Sequence, residues 1–427
     1  MKTPPGTVLI LGADGFIGRH LAFGLRTAGW QVIASARRVR RLNAMGFDTL
    51  QADLNDPVCS TPTFWQPHVR GVTHLINAAG VLSASEQVFR AVHEDAPEAL
   101  YAALPDGARG VLLSAVGIDE TDTPFALHRR EGEEIAARHG LTILRAGLVL
   151  GDTSYGGSSL ARALAAFPLV TPVVGKGDQR FNPIHVTDLT RAIDHFLRHT
   201  PGPGIHEIGG AEDITQADMM RSLRRWLGLR PVPVLHLPVW LARGLGRLGD
   251  AMRWGPISRS AVDQLNASLL ARPGAAMASL PNPPRKFSTF IAQRPAGTQD
   301  LWHARLYLMR PALRLVLALL WLMSGLIGLF LPAADFLPLV HGAALSDSVL
   351  TVLARLGGLA DLAIAAALLC GWRPRLMAAV QGTMVLGYTA MFSWLAPVLW
   401  VLPLGGLLKN LPLLALFAVQ AVLEEER

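Results

Sequence analysis

The sequence predicts a doubly wound α/β parallel sheet with a small α/β substrate lobe, followed by an all-α bundle of four transmembrane helices. Three observations carry this. Short apolar runs alternate with helical patterns as far as about residue 151. Charged residues are plentiful up to about Arg314 and scarce beyond it. Past that point come four apolar stretches, each about long enough to span a bilayer as a helix.

The elements follow in order. TVLILG (7–12) is a short apolar run closed by glycine, which suits a buried parallel strand. Ile17, Leu21 and Leu25 then mark one face of a helix. WQVIASA (30–36), GVTHLINAAG (71–80), GVLLSAVG (110–117) and LTILRAGLVLG (141–151) read as further strands, and QADLND follows another short one. Beyond 151 the pattern loosens into mixed α/β content up to about residue 270, with Thr187 or Asp188 as a helix cap and a Thr215–Asp218 capping box. Residues 1–272 thus form one expected domain. The stretch 273–300, rich in Pro, Gly and Ala and without periodicity, reads as a linker, and 301–427 as the membrane domain. Its expected spans are 313–331, 349–372, 376–395 and 404–423.

Composition narrows the function. Of 427 residues, 51% are hydrophobic and 17% charged, too apolar for an ordinary soluble chain. The net charge is +7, yet no aromatic-interleaved basic patch or nucleic-acid motif is present, so no nucleic-acid partner is expected. Cys59 and Cys370 alone build neither a disulfide framework nor a zinc site, and no metal is expected. The opening MKTPPGTVLILGADGFIG holds an apolar run too short for a signal peptide. Arg305, Arg310 and Arg314 precede the first span, and Arg373 and Arg375 separate the second from the third, whereas the loops 332–348 and 396–403 carry no Lys or Arg. The positive-inside rule then expects a multi-pass inner (cytoplasmic) membrane protein with both termini and the α/β domain in the cytoplasm.

The chemistry starts at GADGFIG, Gly12-x-x-Gly15-x-x-Gly18, directly after a strand and opening a helix. Gly12 permits the tight turn, Gly15 the approach of a pyrophosphate to backbone N–H groups, and Gly18 the packing of helix on sheet. About 20 residues on, a carboxylate would hold the ribose 2′-OH of NAD. This chain has Ser35, Arg37 and Arg38 there, and a guanidinium suits a 2′-phosphate, so NADP(H) is expected over NAD(H). Asp53 stands where a carboxylate meets the adenine amino group.

GADGFIG, ADL, NAAG, LLSAVG, LRAGLVLGD and NPIHVTDL together resemble the extended short-chain dehydrogenase/reductase family. The likeness is strongest to its atypical branch, which includes the accessory subunit of respiratory complex I, and it spans about residues 7–265. It implies a Rossmann-type fold of the NAD-dependent epimerase/dehydratase kind. It further implies a nucleotide lined by Gly12, Asp14, Gly15, Phe16, Ile17, Gly18, Arg37, Asp53, Leu54, Ala78, Ala79, Gly80 and Arg129, with Ser114 in the active-site serine position.

One departure matters. The family's tyrosine, and the lysine four residues on, align with Phe125 and Arg129 in TPFALHRREGEEIA. Phenylalanine has no proton to give, and arginine holds its own too firmly to relay one. None of the four tyrosines has a lysine at i+4. Ser114 or His128 then stands as the alternative acid, with Arg129 on the ribose; or the acceptor, such as a quinone, needs no proton there; or the domain binds nucleotide without turnover.

Residues 301–427 resemble the DoxX-like family of small four-helix membrane proteins, on span count, length and LKNLPLLAL. The fusion implies a membrane-tethered oxidoreductase whose partners are the lipid bilayer and a hydrophobic or quinone-like small molecule. The alternative is a non-catalytic nucleotide sensor or assembly module. Within the spans, Asp361 is expected to meet Lys409. VWLARGLGRLGDAMRW (239–254) puts Trp240, Leu241, Leu245, Leu248 and Met252 on one helical face, which fits either an interfacial helix or one packed on the lobe.

Overall fold

The computed structural model describes residues 5–199, 202, 204–266, 269–272, 274–340, 345–401 and 403–425. The first apolar run is strand β1 (Thr7–Leu11). Strands β2 (Gln31–Ala36), β3 (Asp48–Gln51), β4 (His74–Asn77), β5 (Arg109–Ala115), β6 (Thr142–Ala146) and β7 (Gly204–Ile208) follow. They form one seven-stranded sheet in the order β7-β6-β5-β4-β1-β2-β3, every pairing parallel. Alternate residues of β1 enter different cores: Val8 and Ile10 pack with Leu21, Leu25 and Ile193, while Leu9 and Leu11 pack with Trp65, Leu100 and Ile143. Each such fully buried aliphatic contributes about 1.5–3 kcal/mol. Both faces of the sheet are therefore covered, and the C-terminal ends of all strands share one edge.

Helix α1 (Phe16–Thr27) leaves β1, and helix α2 (Pro124–Arg138) links β5 to β6. The buried Arg145 of β6 ties α2 to the sheet through Glu133 (2.7 Å) and also holds Asp119. Helix α3 (Val186–Arg198) is capped by His185, whose ring accepts from the Thr187 amide (3.3 Å), rather than by Thr187 or Asp188. Short strand pairs 149–150 with 184–185, 180–181 with 214–215, and 171–174 with 234–237 build the second lobe. Its core joins Leu150, Val173, Phe181, Met220 and Leu223. Helix α4 (Val239–Ala251) comes next in the chain.

The stretch expected as a linker is packed. It holds the short helices Ala275–Ala278 and Phe287–Ala292, and Phe287 and Phe290 enter the core of the second lobe. Two buried aromatics leave no periodicity for a sequence reading to find. By contacts, residues up to Asp250 and 255–301 form one unit, and Ala251–Trp254 with 302–427 form the other.

In the second unit, α5 (Thr298–Phe330), α6 (Asp347–Leu369), α7 (Pro374–Leu395) and Gly406–Leu423, the last ending in α8 (Asn410–Leu423), are each long and apolar enough to cross a membrane. Leu317, Trp321, Ile364, Leu368 and Phe417 fill the core between them. A Cβ on Gly328 would lie 2.9 Å from the Gly358 Cα, so α5 and α6 touch backbone to backbone. Arg314 and Glu424 form a buried pair (2.6 Å). Asp361 does not meet Lys409: its carboxylate accepts from the Ser324 hydroxyl (2.6 Å) and the Tyr388 hydroxyl (2.9 Å), and Lys409 is exposed. Depth along a helix can be read from spacing, but the rotation that selects the partner cannot. Arg355 donates to the Gly328 and Leu331 carbonyls (both 2.7 Å), capping the end of α5. Parts of both arginine-free loops, residues 341–344 and 402, lie outside the described residues.

Candidate active site

The sheet order puts β1 between β2 and β4, with later strands running out on β4's side. The crevice past the C-terminal ends of β1 and β4 is where such sheets bind ligands. Gly12 turns out of β1 with φ +71°, and a Cβ there would lie 2.9 Å from the backbone of Ala79, just past β4. A Cβ on Gly18 would lie 2.1 Å from the Gly12 carbonyl oxygen, which seats α1 against the turn. Gly15 is exposed and caps α1 with no side-chain hydrogen bond and no acidic residue in the first turn. The positive end of α1 is therefore open to an anion. Phe16 and Ile17 begin the helix, and Asp14 is tied to Arg19 (3.3 Å).

The other expected nucleotide residues reach the same edge. Ser35 lies near the end of β2, its hydroxyl buried without a partner among the described residues; Arg37 and Arg38, just beyond, are exposed. Asp53 is exposed past β3 and accepts from the Asn55 amide (3.1 Å), while Leu54 packs on the second core. Asn77 at the end of β4 accepts from the Ala79 amide (3.1 Å) and donates to Tyr101 (2.7 Å), which shapes the Ala78–Gly80 turn. An open anion site, close-approach glycines and an orphaned hydroxyl fit a dinucleotide.

The wall where a Tyr–Lys pair would stand is different. Arg129 is buried; it donates to the Leu113 carbonyl (2.6 Å), the Ala79 carbonyl (3.3 Å) and His93 Nδ1 (3.2 Å). Phe125 is half-buried, its ring edge-on to His93 at 6.1 Å. His93 sits in a turn of π-helix (Ala91–Asp95), and a Cβ on Gly132 would lie 2.5 Å from its carbonyl oxygen. Burial first, then the Arg129 guanidinium, hold His93 down at about 3, so its ring is neutral. His128 is clamped by Glu94 (2.5 Å) and Glu86 (3.0 Å) and stacked on Phe89. Burial lowers its pKa, but the bonds to Glu94 and Glu86 outweigh that and leave it raised. Among the described residues, Ser114 Oγ and Arg129 Nε are buried without a hydrogen-bond partner, whereas both ring nitrogens of His128 are paired.

Sequence reasoning missed two features. His93 carries no motif, and a π turn leaves no periodicity. The other is a cavity in the second lobe, walled by Leu150, Trp226, Phe287, Phe290 and Ile291, with His185, Arg162 and Arg294 at its polar side. Arg162 and Arg294 flank the Trp226 ring at 4.9 and 5.1 Å, and both bind Asp300. Gly151 also lines it, and a Cβ there would meet Phe16 of the glycine turn at 3.1 Å. The cavity therefore opens beside the nucleotide turn.

The sequence model of the NAD dependent epimerase/dehydratase family matches residues 8–209, and that of the DoxX-like family matches 318–418. The ceramide reductase of Caulobacter vibrioides (strain NA1000 / CB15N) is 30% identical over 262 residues, 60% of this chain and 80% of that protein. The chain belongs to the NAD-dependent epimerase/dehydratase family. Among solved structures similar to this chain, MoeE5 in complex with UDP-glucose and NAD is 19% identical, covering 72% of this chain and 100% of its own at a TM-score of 0.49. The UDP-glucuronic acid 4-epimerase of Bacillus cereus, in complex with UDP-glucuronic acid and NAD, is 15% identical, covering 70% and 98% at 0.49. This epimerase/dehydratase-type chain thus joins an NAD(P)-type nucleotide domain to a DoxX-like membrane domain.

Proposed function

We propose that this protein is a membrane-tethered NADP(H)-dependent reductase acting on a carbonyl of a long-chain, ceramide-type lipid. The observation that carries the reading is the apolar cavity abutting the glycine turn through Gly151 and Phe16. Its walls of Leu150, Phe287, Phe290 and Ile291 suit an apolar group and leave little for a charged sugar nucleotide, since Arg162 and Arg294 are already paired with Asp300 and Asp152. The ceramide reductase relative supports the same substrate class. When bound, the nucleotide supplies the hydride to the carbonyl carbon. Gly12, Gly15 and Gly18 hold its pyrophosphate, Arg37 its 2′-phosphate and Asp53 its adenine. Ser114 Oγ donates a hydrogen bond to the substrate oxygen as negative charge develops there, with water as the final proton source. Arg129 and His128 are positioning residues, bracing the Ala78–Gly80 turn and the helical segment carrying Glu86 and Glu94. The α/β domain faces the cytoplasm.

One observation favours a second reading, a nucleotide-binding module without turnover: no ionisable side chain stands at Phe125. Full-length protein in lipid nanodiscs decides between them. NADPH oxidation with a keto-ceramide, reduced about 10²-fold by Ser114→Ala, supports the enzyme. NADPH binding without oxidation of keto-ceramide or quinone supports the module, and oxidation with quinone alone moves the substrate class.

A further inference from the structure

Helix α4 is packed inside out. Ala242, Gly246 and Gly249, spaced i, i+4, i+7, are its buried residues. A Cβ on Gly249 would lie 1.9 Å from the Ile257 carbonyl oxygen, and one on Gly246 2.7 Å from the Arg259 amide nitrogen. The small face therefore rests directly on the backbone of residues 257–259. Away from that face Trp240 is 73% exposed and Leu248 45%, and Leu245, flanking it, is 43% exposed. An amphipathic helix serving only its own domain turns its large apolar residues inward.

The orientation is locked. Arg243 binds Asp263 (2.6 Å), and Asp250 accepts from the Arg259 amide (3.0 Å). Rolling the helix would break both contacts and force leucine side chains into a space that does not admit a methyl group.

The chain itself points to what covers the outward face. Residues 251–254, directly after α4, pack within the membrane-spanning unit. There Arg314 donates to the Met252 carbonyl (3.5 Å), and a Cβ on Gly371, in the turn between α6 and α7, would lie 3.4 Å from the same oxygen. So α4 is followed at once by residues seated at the ends of membrane helices. Exposed Arg247 and Arg253 stand near the apolar face, matched to anionic headgroups. Tryptophan is the residue that favours the interface.

We propose that α4 lies on the anionic surface of the bilayer that α5–α8 cross, with Trp240, Leu245 and Leu248 immersed beneath the headgroups. The inference rests on reading those four helices as membrane spans.

Nitroxide labelling of the full-length protein in nanodiscs tests it, in a Cys59→Ala, Cys370→Ser background. Labels replace Trp240→Cys and Leu248→Cys, with Leu169→Cys (77% exposed, first unit) as the aqueous control and Val352→Cys (56% exposed, on α6) as the lipid control. At 240 and 248 the expected accessibility pattern is that of 352: open to oxygen and shielded from a nickel chelate, with immersion deeper when phosphatidylglycerol is present. Arg247→Glu is expected to remove that phosphatidylglycerol dependence while leaving 352 unchanged. Labels at 240 and 248 that match 169 overturn the proposal, as does spin–spin broadening from a second copy on this face. A water-exposed label at 352 overturns the membrane reading itself, and the proposal with it.

Discussion

The edge of the sheet at the glycine turn and the wall formed by α2 stand side by side, yet they treat polar groups in opposite ways. At the turn, the start of α1 is uncapped and the Ser35 hydroxyl has no partner among the described residues. On the wall, Arg129 makes three hydrogen bonds, and both nitrogens of His128 are taken by carboxylates. Open donors cost stability unless something binds them. The difference teaches that donors are left open at the turn, whereas on the wall the Arg129 Nη atoms and the His128 ring nitrogens are committed to bracing contacts.

The sharpest way to break this contrast is Arg129→Met. It orphans the buried Leu113 and Ala79 carbonyls, each worth about 1–3 kcal/mol, and the expected result is a large fall in denaturation midpoint whether or not NADPH is present. If Arg129 served the nucleotide instead, the loss would show mainly in cofactor affinity. Gly18→Ala comes next. Its methyl would press on the Gly12 carbonyl, so NADPH titration is expected to show binding lost, with stability down by about 1–3 kcal/mol. Arg37→Asp is expected to weaken NADPH by about 10–100-fold, the worth of one charged hydrogen bond, and to leave NADH nearly unchanged.

The two wall histidines sharpen the comparison through pH. His93 is held low, so the unfolded chain takes up a proton that the fold refuses. Its contribution is complete above about pH 6.5 and is lost as pH falls towards 3. His128 is raised, so its contribution is complete below about pH 6.5 and is lost as pH rises through its folded value. Thermal midpoints measured across pH should therefore decline on both sides, and His128→Gln should flatten only the alkaline limb. The smallest effect is expected from Phe125→Tyr. With Arg129 bound to carbonyls, nothing nearby would activate the new hydroxyl, and NADPH turnover should not rise. A clear gain would mean that the wall is a damaged active site rather than a brace.

Much of this was legible beforehand. Apolar runs ending in glycine located the strands, because a strand buried on both faces has no polar positions to blur the pattern. The spacing of Gly12, Gly15 and Gly18 located the turn, because only glycine fits two backbones in contact. Arg129's burial was not legible, since an arginine on a charged helix reads as exposed until the carbonyls it caps are known. The cavity was equally hidden. Its walls come from residues 150–294, brought together by tertiary packing alone, and four of them, Phe287, Phe290, Ile291 and Arg294, belong to the stretch that composition marks as a linker.

The buried pair of Arg314 and Glu424 has a bearing on how the protein is made. The two residues are 110 apart in the chain, Arg314 on the first membrane helix and Glu424 directly after the last. During synthesis the arginine emerges long before its carboxylate, so the pair can close only once the chain has been made as far as Glu424. A chain that stops short of Glu424 is expected to hold Arg314 without the carboxylate that meets it in the finished bundle.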